Sequence, residues 1–200
     1  MNSFPKKNDN ICKDAFNLSL PFLNDLAKGL KLENITKNYY EEVVVPLSAY
    51  ISNFPKRDQP YLICLSGGQG SGKTTLSHFL QVVLQEAFTR ISVGFSIDDL
   101  YKTKEERKQL ASTVHPLCEV RGVPGTHNVK LGLDTLNSLY QASENTLTPI
   151  PSFSKPLDKH YPKQDWRNFK GRPEFVFFDA WCGGAKPISE EDWKPPFNDL

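Results

Sequence analysis

One glycine-rich segment constrains the fold of this chain more than any other part of the sequence. It fits the pattern G-x-x-x-x-G-K-[ST], with Gly67, Gly72, Lys73 and Thr74 at the fixed positions. Four of the 12 glycines fall between Gly67 and Gly72. Glycine allows backbone N–H groups to surround a polyphosphate closely, because it has no side chain and adopts conformations that other residues avoid. The segment therefore predicts a phosphate-binding loop.

The residues on either side of this loop have the order that it requires. The apolar run 61–65 predicts a short buried strand, and apolar residues recur at helical spacing after the loop. The positive end of that helix would point at the phosphates. We assign Lys73 to the β- and γ-phosphates and Thr74 to Mg²⁺; a glycine-rich turn without a ligand is the less favoured alternative. The residues predicted to bind the nucleotide are Gly67, Gly68, Gln69, Gly70, Ser71, Gly72, Lys73, Thr74 and Thr75.

Length and composition narrow the class of protein. Two hundred residues suit one domain with a small appendage. The net charge of +1 argues against nucleic acid or a membrane surface as the main partner. The four cysteines lack metal-binding or redox spacing, and Cys64 is expected to be a small core residue. Without a signal peptide or an apolar run of transmembrane length, we expect a cytoplasmic protein.

Changes of pattern divide the chain into a helical N-terminal extension, 1–54, and a larger domain, 55–200. Apolar residues at helical spacing predict two helices in the extension, the first ending near Gly29 and the second beginning after a cap at Thr36. Pro46 should kink or restart the second helix. We expect both helices to pack on the side of the core.

Two further strands are predicted in the larger domain. Residues 91–97 alternate between apolar and polar side chains, and 174–178 are almost entirely apolar. Strands that alternate with helices predict an α/β fold, in which an open parallel sheet is sandwiched by helices. Helical segments are predicted at 104–114 and around Leu133, Leu136, Leu139 and Tyr140.

Two carboxylates, Asp98 and Asp99, directly follow the alternating strand. Ligands of an open parallel sheet bind at the carboxyl ends of its strands, so we expect Asp98 beside the phosphate loop. A carboxylate there can accept the proton of a substrate hydroxyl or hold water on Mg²⁺. The alternative, a residue that only caps the next helix, is favoured for Asp99.

Two later segments carry further candidate residues. The run 121–128 contains a Gly-Val-Pro-Gly turn, in which Arg121 offers a fork for a carboxylate or phosphate and His127 a donor to a substrate oxygen. An ordinary surface loop explains that run equally well. Asp179 closes an apolar strand, which is the loose form of a second nucleotide motif and predicts a ligand of Mg²⁺. Trp181 is expected to pack rather than to stack on a ligand.

The segment 153–163 is basic and rich in proline, and we expect it to be a mobile loop. It includes Lys155 and could close over a phosphorylated substrate and neutralise developing charge. A solvated basic loop is an equally good interpretation.

Together these segments resemble the glycerate-kinase-like branch of the phosphoribulokinase/uridine kinase superfamily of P-loop kinases. The matching segments follow the family order, and 121–127 is the most specific of them. The resemblance implies the P-loop NTPase fold, with ATP and Mg²⁺ as cofactors. It also implies that Asp98 is the base and that Arg121 and His127 lie near the acceptor. The matching segments are 66–75, 96–101, 121–127 and 178–184.

The chain departs from the family pattern at three points. Asn128 stands where relatives usually carry Asp, and Asp179 stands where many carry Glu. The sequence also ends where relatives usually continue, so we expect the larger domain to lack its C-terminal part.

The resemblance implies an ATP-dependent kinase that phosphorylates a hydroxyl of a small hydroxy acid, with D-glycerate as the first candidate. A kinase for another small alcohol, such as a nucleoside or a pantothenate-like compound, and a non-catalytic nucleotide-binding module are the alternatives. The sequence leaves the oligomeric state open. The catalytic candidates are Lys73, Asp98 and Arg121, and the metal ligands are Thr74 and Asp179. The substrate-binding candidates are Asp98, Tyr101, Arg121, His127 and Lys155.

Overall fold

The structure of the chain is a computed structural model, which describes residues 4–186, 189 and 191. Residues 1–3 of the predicted extension lie outside the described residues, as do 187, 188, 190 and 192–200 of the predicted 55–200 domain. The helices are α1 (Asn10–Gly29), α2 (Lys37–Tyr39), α3 (Val45–Ser52), α4 (Lys73–Phe88), α5 (Lys104–Thr113) and α6 (Val129–Tyr140). The strands are β1 (Tyr61–Ser66), β2 (Ser92–Ser96), β3 (Leu147–Ile150), β4 (Phe153–Ser154), β5 (Lys159–His160), β6 (Arg167–Lys170) and β7 (Phe175–Ala180).

A parallel sheet in the order β1-β7-β2 forms the centre of the molecule. Strand β7 pairs with β1 on one side and with β2 on the other. The register places Asp179 opposite Leu65 in β1 and opposite Ser96 in β2. The carboxyl ends of the three strands therefore meet at one edge, as the alternation of strands and helices predicted.

The side chains of β7 alternate between two apolar cores, because successive residues of a strand point to opposite faces. Phe175 and Phe177 pack into the cluster that contains residues of α1, α3 and α4. Val176 packs into a second cluster with Val93 of β2 and Leu139 of α6. Helices therefore cover both faces of the sheet, and the predicted sandwich is confirmed.

The N-terminal extension forms the predicted helices. Helix α1 ends at Gly29, and the Thr36 hydroxyl caps α2 by accepting a hydrogen bond from the Tyr39 N–H at 3.3 Å. A π-helical turn follows, and α3 begins with Pro46 in its first turn. Proline fits that position because the first N–H groups of a helix have no partner within it. Among the described helices, none combines the length and the apolar character needed to cross a bilayer.

The expectation that β1 is a buried strand with Cys64 in the core was wrong. Strand β1 is partly buried on one face, and Cys64 is exposed because it lies on the other face, with Leu62. The predicted helix around Leu133 is α6, in which Leu133 is exposed and the buried positions are Gly132, Thr135 and Leu139. Residues at helical spacing define a face, but the spacing does not determine which of two overlapping faces meets the core.

Residues 147–170 have more regular structure than the sequence indicated. Strands β3 and β6 form an antiparallel ladder, and β4 and β5 form a short hairpin within the segment expected to be a loop. Each strand has only two to four residues, which is too few for periodicity to be recognised in a sequence. We call residues 153–160 the basic hairpin.

The packing of the extension on α4 makes a stability prediction. Phe79 of α4 is fully buried, and its ring contacts those of Tyr39 and Tyr40 edge-on, with centroids 6.3 and 5.2 Å apart. Phe79→Ala should lower the free energy of unfolding by about 3–5 kcal/mol, because it leaves a cavity and removes both ring contacts. Urea denaturation measures this change. The exposed Leu18→Ala should change it by less than about 0.5 kcal/mol, and equal effects would contradict the packing.

Candidate active site

The glycine-rich segment lies between β1 and α4, at the carboxyl edge of the sheet. Gly70 and Gly72 have φ angles of 74° and 82°, in the left-handed region that favours glycine. Helix α4 begins at Lys73, whose ammonium donates a hydrogen bond to the Gly68 carbonyl at 2.7 Å. The segment is therefore a tight loop that leads into a helix N-terminus, which is the geometry of a phosphate-binding loop.

A cleft of about 1000 Å³ opens beside this loop and brings most of the predicted residues together. The predicted residues that line it are Gln69, Gly70, Gly72, Lys73, Thr74, Thr75, Asp98, Tyr101, Arg121, Lys155 and Asp179. The predicted residues outside this lining are Gly67, Gly68, Ser71 and His127.

Asp98 enters the cleft from a short 3₁₀ helix, Ile97–Leu100, that directly follows β2. Ser96 caps this helix, since its hydroxyl accepts a hydrogen bond from the Asp98 N–H at 3.2 Å. The Asp99 carboxylate completes the cap by accepting the Ser96 N–H at 3.0 Å. Asp99 therefore has the structural position expected from the sequence, and it fixes the turn that carries Asp98.

The Asp98 carboxylate is held by two side chains. The Tyr101 hydroxyl donates to its Oδ1 at 2.8 Å, and the Lys155 ammonium contacts its Oδ2 at 2.6 Å. Burial alone would raise the pKa of Asp98, but these two contacts outweigh it and hold the pKa below the ordinary value. Burial and the Asp98 charge raise the pKa of Tyr101 far above its usual value, so this hydroxyl stays protonated and continues to donate.

The two predicted metal ligands, Thr74 and Asp179, line the same cleft. Asp179 is buried at the end of β7, and its Oδ1 accepts a hydrogen bond from the Ser96 hydroxyl at 2.7 Å. Thr74, in the first turn of α4, lines the same cleft. A buried carboxylate beside a hydroxyl is a set of hard oxygen donors, which suits Mg²⁺ bound together with substrate phosphates.

The predicted turn in 121–128 is tight and pairs with the backbone after β2. Gly122 and Gly125 have positive φ angles, and His127 forms an isolated antiparallel bridge with Tyr101. The Asn128 side chain caps α6 by accepting the Leu131 N–H at 3.0 Å. An Asp would serve equally well there, so the departure at Asn128 preserves the local structure.

His127 packs against Tyr101, a residue of the cleft lining, and does not line the cleft itself. Its ring stacks on that of Tyr101, with centroids 4.6 Å apart, and it is buried. Burial lowers the pKa of His127, although the nearby Asp98 charge partly offsets this effect. The geometry therefore gives His127 a position behind Tyr101, and Tyr101 itself faces the cleft.

Arg121 lies at the rim, between Tyr101 and the basic hairpin. Its guanidinium donates to the Lys155 carbonyl at 3.0 Å and lies 5.9 and 5.7 Å from the ring centroids of Tyr101 and Phe153. Part of this side chain is exposed. Arg121 therefore keeps donor groups available to the cleft while its position is fixed.

The cleft also contains residues that the sequence did not single out. Arg107 and Asp158 line it and form an ion pair at 2.6 Å. The sequence placed Arg107 in a charged helix and Asp158 in a loop, and neither pattern indicates a role. Trp181 was expected to pack, but this residue is 38% exposed and lines the cleft. The packing prediction for Trp181 was wrong because the chain turns away from the core directly after β7.

The chain is similar to proteins named as kinases. It is 31% identical over 158 residues to an uncharacterized kinase, mug58, of Schizosaccharomyces pombe, covering 74% of this chain and 56% of the relative. It is 27% identical over 179 residues to the chloroplastic D-glycerate 3-kinase of Arabidopsis thaliana, covering 83% of this chain and 39% of the relative. No family model matches the sequence. The chain spans about half the length of the curated relatives it matches.

Solved structures agree on the fold. The D-glycerate 3-kinase of Cryptococcus neoformans superposes with a TM-score of 0.54 at 20% identity, covering 92% of this chain and 56% of that chain. The chain therefore has the fold of the P-loop kinases. Together with the sequence relatives, this confirms the resemblance to the P-loop kinase group that includes the glycerate kinases.

The Lys155–Asp98 contact makes a prediction about ionisation. Lys155→Met should raise the pKa of Asp98, because the variant loses the contact that lowers it and keeps the burial that raises it. A ¹³C NMR titration of the aspartate carboxyls measures this shift. A depressed pKa stabilises the fold above the unfolded pKa, and this stability is lost as the pH falls through the folded pKa, so the variant should lose less stability in acid.

Lys130→Met is the matched control, because Lys130 forms an exposed ion pair with Asp134 on α6. It should leave the Asp98 titration unchanged. An Asp98 pKa that is the same in wild type and in Lys155→Met would refute the assignment of Lys155 as the group that lowers it.

Proposed function

We propose that this chain is the ATP-dependent kinase part of an enzyme that phosphorylates a hydroxyl of a small hydroxy acid, with D-glycerate as the first candidate. The observation that carries the proposal is the single cleft that holds Lys73 and Thr74 together with the Asp98 carboxylate. A phosphate loop beside a carboxylate suits phosphoryl transfer to an alcohol. The similarity to proteins named as D-glycerate 3-kinases supports this choice of acceptor.

The nucleotide would bind along the glycine-rich loop. Backbone N–H groups of the loop and of the first turn of α4 would bind the phosphates, and Lys73 would contact the β- and γ-phosphates. Thr74 and Asp179 would hold Mg²⁺, which neutralises phosphate charge when it is bound. Catalysis would come mainly from positioning and from stabilisation of negative charge.

The acceptor would bind on the Asp98 side of the cleft. Asp98 would accept a hydrogen bond from the reacting hydroxyl and orient its oxygen toward the γ-phosphorus. The Tyr101 hydroxyl donates a hydrogen bond to Asp98 Oδ1 at 2.8 Å, which restricts the rotation of the Asp98 carboxylate. The reacting hydroxyl would thus meet a carboxylate whose direction is already fixed.

Two cations beside Asp98 favour an acceptor that carries a carboxylate. The Lys155 side chain is 58% exposed, and Arg121 is partly exposed at the same rim. Charge-assisted hydrogen bonds to a carboxylate are about twice as strong as neutral ones. The carboxylate of a hydroxy acid would therefore occupy these groups and place its hydroxyl near Asp98.

The first experiment measures ADP release from the purified chain with ATP·Mg²⁺ and D-glycerate. We expect release that depends on D-glycerate and that falls at least about a hundredfold in Lys73→Ala, because the variant loses the cation on the transferring phosphoryl group. Lys130→Ala, a lysine on the exposed face of α6, is the matched control and should retain the activity.

Other acceptors separate the alternatives. Uridine and pantothenate, assayed in the same way, test a nucleoside and a pantothenate-like alcohol. Turnover with either compound and none with D-glycerate would refute the choice of acceptor and keep the kinase. Tight ATP binding without turnover on any acceptor would instead favour a non-catalytic nucleotide-binding module.

A further inference from the structure

The basic hairpin cannot maintain its own position. Its strands β4 and β5 pair through only two residue pairs, and a hairpin of this length is not stable by itself. Its turn ends at Asp158, which has a φ angle of 52° in the left-handed region. Contacts with the rest of the molecule must therefore determine where this hairpin lies.

Arg107 of α5 provides a fixed anchor for the turn. Its guanidinium donates to the Lys102 carbonyl at 2.8 Å, to the Glu119 carbonyl at 3.1 Å and to Asp158 Oδ2 at 2.6 Å. The Arg107 side chain is only 2% exposed. Two backbone carbonyls fix the plane of the guanidinium, and a buried cation requires a counter-charge, which Asp158 supplies.

Asp158 also reaches the second arginine of the cleft. Its Oδ1 lies 3.5 Å from Arg121 Nε, and Arg121 donates to the carbonyl of Lys155, at the start of the same turn. A further contact joins the hairpin to the residue that holds Asp98, since His160 Nε2 lies 2.7 Å from the Tyr101 carbonyl. The Asp158 carboxylate therefore joins the turn to both Arg107 and Arg121.

We infer that Asp158 is a positioning residue, whose ion pair with Arg107 sets the basic hairpin so that Lys155 meets Asp98 and Arg121 stays at the rim. Lys155 lies three residues before Asp158 in the turn and contacts Asp98 at 2.6 Å. A lysine that is more than half exposed has many rotamers open to it, so this contact depends on where the turn places its backbone. The inference rests on the proposed function only in treating Asp98 as the acceptor base.

Asp158→Asn removes the charge of this residue and keeps its backbone preference. Asparagine has the same shape as aspartate and tolerates the left-handed region equally well. We expect the Asp98 pKa to rise toward its value in Lys155→Met, because the released turn no longer holds the ammonium in place. With an active acceptor, kcat/KM for the acceptor should fall about 10- to 100-fold, as expected when a binding group is displaced. The KM for ATP should stay unchanged.

Glu174→Gln is the matched control for a general loss of stability. Glu174 pairs with Arg90, another largely buried arginine, at 2.8 Å and lies outside the cleft lining. Both variants leave an arginine without its carboxylate, so both should unfold at lower urea concentration. Only Asp158→Asn should shift the titration of Asp98.

Arg107→Lys is the second variant and decides the question if Asp158→Asn fails to fold. A lysine keeps the positive charge near Asp158 but cannot hold both backbone carbonyls and the carboxylate together. It should raise the Asp98 pKa in the same direction as Asp158→Asn. An Asp98 titration that matches wild type in a folded variant would overturn the inference, as would an equal shift in Glu174→Gln.

The two proposals fail in different ways. If the wild-type chain phosphorylates no acceptor, the proposed function fails, and the NMR titration of Asp98 still decides whether Asp158 positions Lys155. If turnover occurs and Asp158→Asn changes neither the titration nor kcat/KM, the kinase assignment stands and the role of Asp158 is refuted.

Discussion

The pairing of β7 with both β1 and β2 is the constraint on which the rest of the site depends. Because the three strands are parallel, the phosphate loop after β1, Asp98 after β2 and Asp179 at the end of β7 reach the same edge of the sheet. The hydroxyl of Ser96 ties two of these strand ends together by donating to Asp179. A change of register by one residue would turn Asp179 to the opposite face.

The charge of Asp98 is balanced by Lys155, and this balance affects the chemistry of the cleft. In the free protein Lys155 neutralises Asp98, and the contact keeps the pKa of Asp98 low. A carboxylate with a low pKa is a weak proton acceptor. In the proposed reaction, an acceptor carboxylate would compete for Lys155 and weaken this contact. A charged acceptor would then increase the proton affinity of Asp98 as it binds, and a neutral alcohol would not.

The sequence predicted those parts of the site that depend on local chemistry. The phosphate loop needs glycine at fixed positions. Asp98 comes just after β2 and Asp179 near the end of β7, so their place could be inferred from neighbouring residues. Arg107 and Asp158 could not be found in this way. They lie 51 residues apart, and only their ion pair in the folded structure indicates a role for either residue. The exposure of Cys64 was missed for a related reason, because the continuous apolar run of β1 does not say whether one face of the strand or both are covered.

The N-terminal extension is connected to the site through α4. Helices α1 and α3 pack on α4, and the fully buried Phe79 anchors that contact from within the helix. The same helix begins at Lys73, at the end of the phosphate loop. Lys73 and Thr74 are in the first turn of α4, so the extension packs on the same continuous helix that carries these two residues. The extension thus supports the helix at the end of the glycine-rich loop without contributing a residue to the cleft lining.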